Sequence, residues 1–92
     1  MTAVPAPPSL TALVVDDEPQ MVYIITFALE TQGFTCVTAS SAEEAWAILS
    51  DQAIDLVILD VMLPGASGVE LCRRIRASGI GAPIILLTAL GD

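Results

Sequence analysis

Apolar residues fall along this chain in short unbroken runs separated by longer segments of helical spacing. Thr11 to Val15 is such a run and ends abruptly in Asp16-Asp17-Glu18-Pro19, the pattern of a strand buried on both faces that delivers acids to its C-terminal edge. Pro19 suits a first helical turn and Gly33 a left-handed stop, which predicts a helix over 19–32. Met21, Ile24, Ile25, Ala28 and Leu29 are expected on its inward face, with Tyr23 and Phe27 as a separate pair on the opposite side. That pair reads either as an ordinary exposed hydrophobic contact or as a surface for a partner or a second copy. Phe34 to Thr38 predicts a second strand. Ser41 and Glu44 have capping-box spacing and open a helix that carries Ala45, Trp46, Ile48 and Leu49 to about Asp51.

Asp55 to Asp60 is the clearest buried strand, again closing on a carboxylate, and Pro64-Gly65 forces a turn after it. Ser67-Gly68 precedes a third helix in which Val69, Cys72 and Ile75 face inward and Arg73, Arg74 and Arg76 outward. Residues 79–83 form a loop, and Ile84 to Leu87 a fourth strand ending at Thr88. The alternation β-α-β-α-β-α-β calls for parallel strands, right-handed crossovers and helices on both faces of one sheet. Residues 1–9, rich in Pro and Ala, are expected to be a flexible leader, leaving 10–92 as one domain.

Composition narrows the function. Of 92 residues 54% are apolar and 15% charged, which excludes a disordered chain. The net charge is −8, and three Arg are the only cations, with no Lys or His. Direct nucleic-acid contact by this segment is therefore not expected, whereas divalent cations or basic partner patches suit it. Cys36 and Cys72 lack metal-site spacing and read as reduced, buried thiols. With neither a signal-peptide pattern nor a membrane span in view, a cytoplasmic location is expected.

In open α/β sheets, ligands bind beyond the carboxyl ends of the strands, where strand order reverses. Asp16 and Asp17 leave the first strand there, Asp60 the third and Thr88 the fourth. A double acid after a strand is commonly a solvated turn, and a terminal Thr a simple cap. Converging carboxylates, however, repel one another, and the remedy is protonation of one or a bound cation. Hard oxygen ligands completed by water suit Mg²⁺, with Mn²⁺ as a substitute. A cation there would offset the charge of an incoming phosphoryl group and let Asp60 act as nucleophile. Thr88 could then hydrogen-bond a phosphoryl oxygen.

Four segments carry a resemblance: Leu13-Val-Val-Asp-Asp-Glu-Pro19, Asp55-Leu-Val-Ile-Leu-Asp-Val-Met-Leu-Pro-Gly65, Gly68-Val-Glu-Leu-Cys-Arg-Arg-Ile-Arg76 and Pro83-Ile-Ile-Leu-Leu-Thr-Ala89. In order and spacing, over residues 10 to 92, they resemble the response-regulator receiver family of two-component signalling, the CheY-like superfamily. The resemblance implies a flavodoxin-like three-layer α/β sandwich with sheet order 2-1-3-4-5, of which 2-1-3-4 is present. It implies a sensor histidine kinase as partner and a signalling domain rather than an enzyme. By the family pattern Asp60 is the phosphoacceptor, Asp17 binds the metal directly, and Asp16 helps through the metal or its water. The backbone carbonyl of Met62 is a further ligand, Thr88 the switch hydroxyl, and Ala89 the small neighbour that leaves room for the phosphoryl group. Ser67 stands where many members carry Asp, one helix-capping residue for another.

The departure lies at the other end. The family continues through a fourth helix, a fifth strand bearing a phosphoryl-pairing Lys, and a fifth helix, all absent from these 92 residues. Losing one charge-assisted contact costs about 1.5–3 kcal/mol, so phosphorylation or its coupling is expected to weaken without that Lys. Two other readings compete. A phosphorylation-independent interaction module would assemble, for instance as a homodimer, through the Tyr23/Phe27 stripe and the uncovered strand Ile84 to Leu87. A Mg²⁺-dependent phosphatase working through an aspartyl phosphate would need a general acid two residues past the nucleophile, where this chain has Met62.

Overall fold

A computed structural model describes residues 10–87. The expected leader, 1–9, and the fourth-strand tip with Thr88 and Ala89 lie outside the described residues. Four parallel strands form the main sheet: β1 (Thr11–Val15), β2 (Thr35–Ala39), β3 (Leu56–Asp60) and β6 (Ile84–Leu87), in the order β2-β1-β3-β6. Three helices join them: α1 (Pro19–Thr31), α2 (Ala42–Asp51) and α3 (Gly68–Ala77). This is the expected 2-1-3-4 arrangement, with the fourth sheet strand numbered β6 because a hairpin intervenes. The hairpin pairs β4 (Met62–Leu63) with β5 (Ala66–Ser67) around Pro64-Gly65, and Gly65 takes the positive φ, 73°, that the turn demands. The sequence predicted a turn there but no pairing.

β1 runs through the middle, and Ala12 to Val15 are buried because helices cover both sides. Its pairing puts Leu13 and Val15 beside Val57 and Leu59 of β3 and beside Val37 and Ala39 of β2. This face carries the core, closed from above by Ala45 and Leu49 of α2, Leu71 and Ile75 of α3, and Leu63 of the hairpin. Large side chains such as Leu13, Leu59 and Ile75 are wholly buried, each contributing about 1.5–3 kcal/mol relative to exposure. Trp46 packs at the margin of the core, with the Arg74 guanidinium 4.1 Å from its ring centroid.

Local signals explain the helix starts. Ser41 Oγ accepts the Glu44 amide at 3.1 Å, while the Glu44 carboxylate reaches one residue further back than an ideal capping box and accepts from the Ser40 amide at 2.7 Å. Ser67 Oγ likewise accepts the Val69 amide at 3.1 Å, which makes Ser67 the cap it was read to be. The Arg76 guanidinium donates to the carbonyls of Ile80 and Ala82, pinning the loop that leads into β6.

Two helix faces differ from expectation. On α1, Met21, Ile24 and Ala28 are exposed, and the half-buried residues are Val22, Ile25, Thr26 and Leu29. The helix is apolar almost all round, so periodicity alone cannot choose its inward side; the strand it crosses does, and the Cys36 thiol of β2 donates to the Thr26 carbonyl at 3.9 Å. On α3, Leu71 and Ile75 reach the core, whereas Val69 and Cys72 are only half-buried. Cys36 and Cys72 are free thiols, both half-buried, and burial together with Glu30 pushes the Cys36 thiol up.

Candidate functional site: an acidic cluster at the strand ends

The in-register pairing of β1 with β3 sets Val15 against Leu59, so the residues that follow both strands emerge at one edge of the sheet. Carboxylate oxygens of Asp16, Asp17 and Asp60 lie within 4.8 Å of one another there. The three side chains are held differently. Asp16 is buried, only 5% exposed, with its amide donating to the Ala39 carbonyl at 3.0 Å and its Oδ1 accepting the Glu18 amide at 2.9 Å. Asp17 is exposed and Asp60 half-buried. Asp60 Oδ1 accepts the Met62 amide at 3.0 Å.

The two strands therefore end in the same way. An Asp accepts the amide two residues on, closing a local turn that fixes its carboxylate and redirects the chain, at Asp16 into α1 and at Asp60 into the hairpin. Each turn engages only Oδ1 of its carboxylate. Sequence reading placed these acids at the strand tips but missed the turns, whose signal was available: an Asp at the end of an apolar run, followed at once by turn-forming residues.

Burial pushes the Asp16 carboxyl above its ordinary value of 3.8; the nearby charges of Asp60, Asp17 and Glu18 push the same way, and the Glu18 amide opposes them. A buried acid among like charges, without a cationic side chain beside it in the described cluster, is a set of donors that could hold a cation. Its ligands are all hard carboxylate oxygens, and with no His in the chain the set fits Mg²⁺ or Mn²⁺ rather than zinc. An open groove of about 490 Å³ adjoins it, lined by Asp16, Asp17, Tyr23, Thr26, Thr38 and Glu44 among others. Of the residues picked out from sequence, Asp16, Asp17 and Asp60 are brought together; Met62, whose carbonyl was expected as a ligand, meets them through its amide on Asp60 Oδ1, with its side chain 72% exposed. Thr88 and Ala89 lie outside the described residues. The three Arg of α3 are exposed, one on Trp46 and one on the loop before β6.

One contributor was not read from sequence as part of the site. Gly68, taken only as the residue at the start of α3, presses against the backbone of Asp60 and Val61. Such an approach depends on how the hairpin folds back, which a linear pattern does not carry.

Compared with known proteins, residues 12–92 match the response regulator receiver domain family. The phosphate regulon transcriptional regulatory protein PhoB of Pseudomonas aeruginosa is 44% identical over 84 residues, covering 89% of this chain and 37% of that protein. The transcriptional regulatory protein AfsQ1 of Streptomyces coelicolor is 45% identical over 85 residues, covering 92% of this chain and 36% of that protein. The chain thus spans little more than a third of the length of these curated relatives. Among solved structures, the Thermotoga maritima response regulator TrrA in complex with Mg²⁺ and BeF has a TM-score of 0.84 at 41% identity, over 89% of this chain and 71% of that one. A complex of histidine kinase ThkA with TrrA gives a TM-score of 0.82 at 41% identity, over 90% of this chain and 72% of the matched one.

Proposed function

This chain belongs to the response-regulator receiver domain family of two-component systems, and from that footing we propose that Asp60 accepts a phosphoryl group in a Mg²⁺-dependent reaction, with a sensor histidine kinase as donor. Members of this family are signalling domains with a flavodoxin-like α/β fold, not enzymes in the usual sense. The observation that carries the proposal is the meeting of three carboxylates within 4.8 Å at the carboxyl edge of the sheet, one of them on the strand end that the family uses as acceptor. Met62 supports it by holding Asp60 Oδ1 through its amide, which leaves Oδ2 to attack phosphorus. In the transfer the donor P–N bond breaks, an Asp60 O–P bond forms, and the kinase imidazole keeps its electron pair and takes up a proton.

Asp17, Asp60 and the Met62 carbonyl would hold the ion directly, with Asp16 acting through it or its water. When bound, Mg²⁺ supplies the positive charge that lets two anions approach. Buried Asp16 fixes the first strand end so that exposed Asp17 can remain adaptable. By the same family pattern Thr88 is the switch hydroxyl and Ala89 the residue that leaves space beside it. The TrrA complexes with Mg²⁺ and BeF and with ThkA support both the ion and the kind of partner. Among the described residues no helix is long and apolar enough to cross a membrane; a cytoplasmic location is part of the proposal. The curated relatives are transcriptional regulators, and a role in transcription regulation through a further domain is part of the proposal.

A second reading has its own observation. Tyr23, Ile24 and Phe27 on α1 are 68%, 60% and 58% exposed, and Ile85 and Leu86 on β6 are 49% and 41% exposed. These surfaces favour self-association of the chain independent of phosphorylation. The primary proposal is tested by incubating the protein with Mg²⁺ and a small acyl phosphate. One acid-labile phosphoryl group per chain is expected by intact mass, and none in Asp60→Asn. Unchanged labelling in that variant overturns the assignment.

A further inference from the structure

α3 begins against the backbone of the proposed acceptor strand. The Gly68 amide donates to the Val61 carbonyl at 2.8 Å, and the Val61 amide donates to the Leu87 carbonyl at 2.9 Å. Val61 is thereby tied to α3 on one side and to β6 on the other, while the next amide, Met62, holds the Asp60 carboxylate at 3.0 Å. Gly68 is buried, and the approach at this point is closer than any side chain permits. A Cβ on residue 68 would overlap the Asp60 carbonyl oxygen and come within 2.9 Å of both the Asp60 carbonyl carbon and the Val61 Cα. These are main-chain atoms of a strand end bonded on both flanks, so they cannot turn aside as the tip of a flexible side chain could.

From this we propose that Gly68 is a positioning residue for the acidic cluster: having no side chain, it lets the start of α3 seat directly on Asp60–Val61 and hold the Met62 amide where it orients the Asp60 carboxylate towards Asp16 and Asp17. This inference rests on the reading of Asp60 as cation ligand and phosphoacceptor. Any larger residue at 68 must drive α3 and the β4–β5 hairpin away from β3, or shift the end of β3 itself. Either movement lengthens the bond between the Gly68 amide and the Val61 carbonyl and displaces Asp60 relative to Asp16 and Asp17, whose positions are set independently from β1.

The test compares full-length wild type, Gly68→Ala and Ser67→Ala, with Mg²⁺ alone as the probe. Gly68→Ala is expected to weaken Mg²⁺ binding by about tenfold or more in calorimetry, the scale of losing an outer support of a metal ligand, and to shift the Met62 amide resonance before metal is added. Ser67→Ala removes the hydroxyl that accepts the Val69 amide and adds no atom near Asp60, so it should lower the melting temperature while leaving Mg²⁺ affinity unchanged. Equal affinity in Gly68→Ala and wild type overturns the proposal, as does an equal loss in both variants, which would mark general softening of the helix start. If Gly68→Ala does not fold, a Mg²⁺ titration of the wild type followed by amide resonances decides instead. Gly68 is expected to shift in step with Asp16 and Met62, and an unmoved Gly68 amide overturns the inference. A wild type that shows no response at Asp16, Asp17 or Asp60 overturns the underlying reading rather than the role of Gly68.

Discussion

Replacing Asp16 by Asn should make the metal-free protein more stable and the Mg²⁺-saturated protein relatively less so. The substitution removes one negative charge from a cluster whose carboxylate oxygens lie within 4.8 Å of one another. At 4.8 Å a like-charge pair repels by about 1 kcal/mol if water screens it fully and by about 3.5 kcal/mol at the effective permittivity of a surface pair. Asp17 is exposed and Asp60 half-buried, so the lower part of that range applies, and relief of burial of the Asp16 charge adds to it. Asn retains an Oδ1 that can accept the Glu18 amide, so the local turn survives. A net gain of about 1–2 kcal/mol in EDTA at neutral pH follows, which moves the urea midpoint up by about 1–2 M for a domain with a slope near 1 kcal/mol/M.

The second half of the prediction is the reversal. If the proposed site is right, Mg²⁺ at a hundred times its dissociation constant should stabilise the wild type by about 2.7 kcal/mol, whereas Asp16→Asn should respond weakly. The pH dependence has a defined sign. The Asp16 carboxyl is raised in the folded state, so between 3.8 and its folded value the native protein binds more protons than the unfolded chain, and stability falls as pH rises through that window. The advantage of Asp16→Asn in EDTA should accordingly be full at neutral pH and shrink as pH falls towards 3.8. Urea unfolding monitored by Trp46 fluorescence, with and without Mg²⁺, measures all three. A variant less stable than wild type in EDTA, or one equally stabilised by Mg²⁺, refutes the reasoning.

Two further outcomes test the packing and the surface. Ile75→Ala empties a wholly buried position between α3 and the sheet and should destabilise by about 2–5 kcal/mol, enough to leave a domain of this size largely unfolded in urea scans at ambient temperature; a loss below about 1 kcal/mol would mean that α3 is not seated as described. For the apolar back of α1, light scattering at rising concentration should show wild type associating and Ile24→Glu remaining monomeric, and identical profiles would remove that face from consideration.

What the sequence made legible, and what it did not, divides along a physical line. Buried parallel strands announce themselves as unbroken apolar runs, and β1 is followed by two acids while β3 ends on one, so the strand tips and the meeting of Asp16, Asp17 and Asp60 could be read without coordinates. The roles within the cluster could not. Asp16 and Asp17 are adjacent and chemically identical, and only the twist of the chain leaving β1 decides that Asp16 is buried and bonded to the Glu18 amide while Asp17 faces solvent. The inward face of α1 was misread for a related reason. Its apolar residues nearly encircle the helix, so Met21, Ile24 and Ala28 satisfied the period as well as Val22, Ile25 and Leu29 did, and the choice between them was made by the sheet underneath.

Gly68 marks the far limit of such reading. In the linear pattern it is one of six glycines and looks like part of a helix start. Its importance comes from a hairpin that returns the chain to within bonding distance of Val61, seven residues earlier and just past the end of β3. If the Asp60 carboxylate, the proposed acceptor, is aimed by its own backbone through the Met62 amide, whatever fixes that backbone shares in aiming it. The steric requirement at 68 is then as much a part of the site as the charges, although no titratable group announces it.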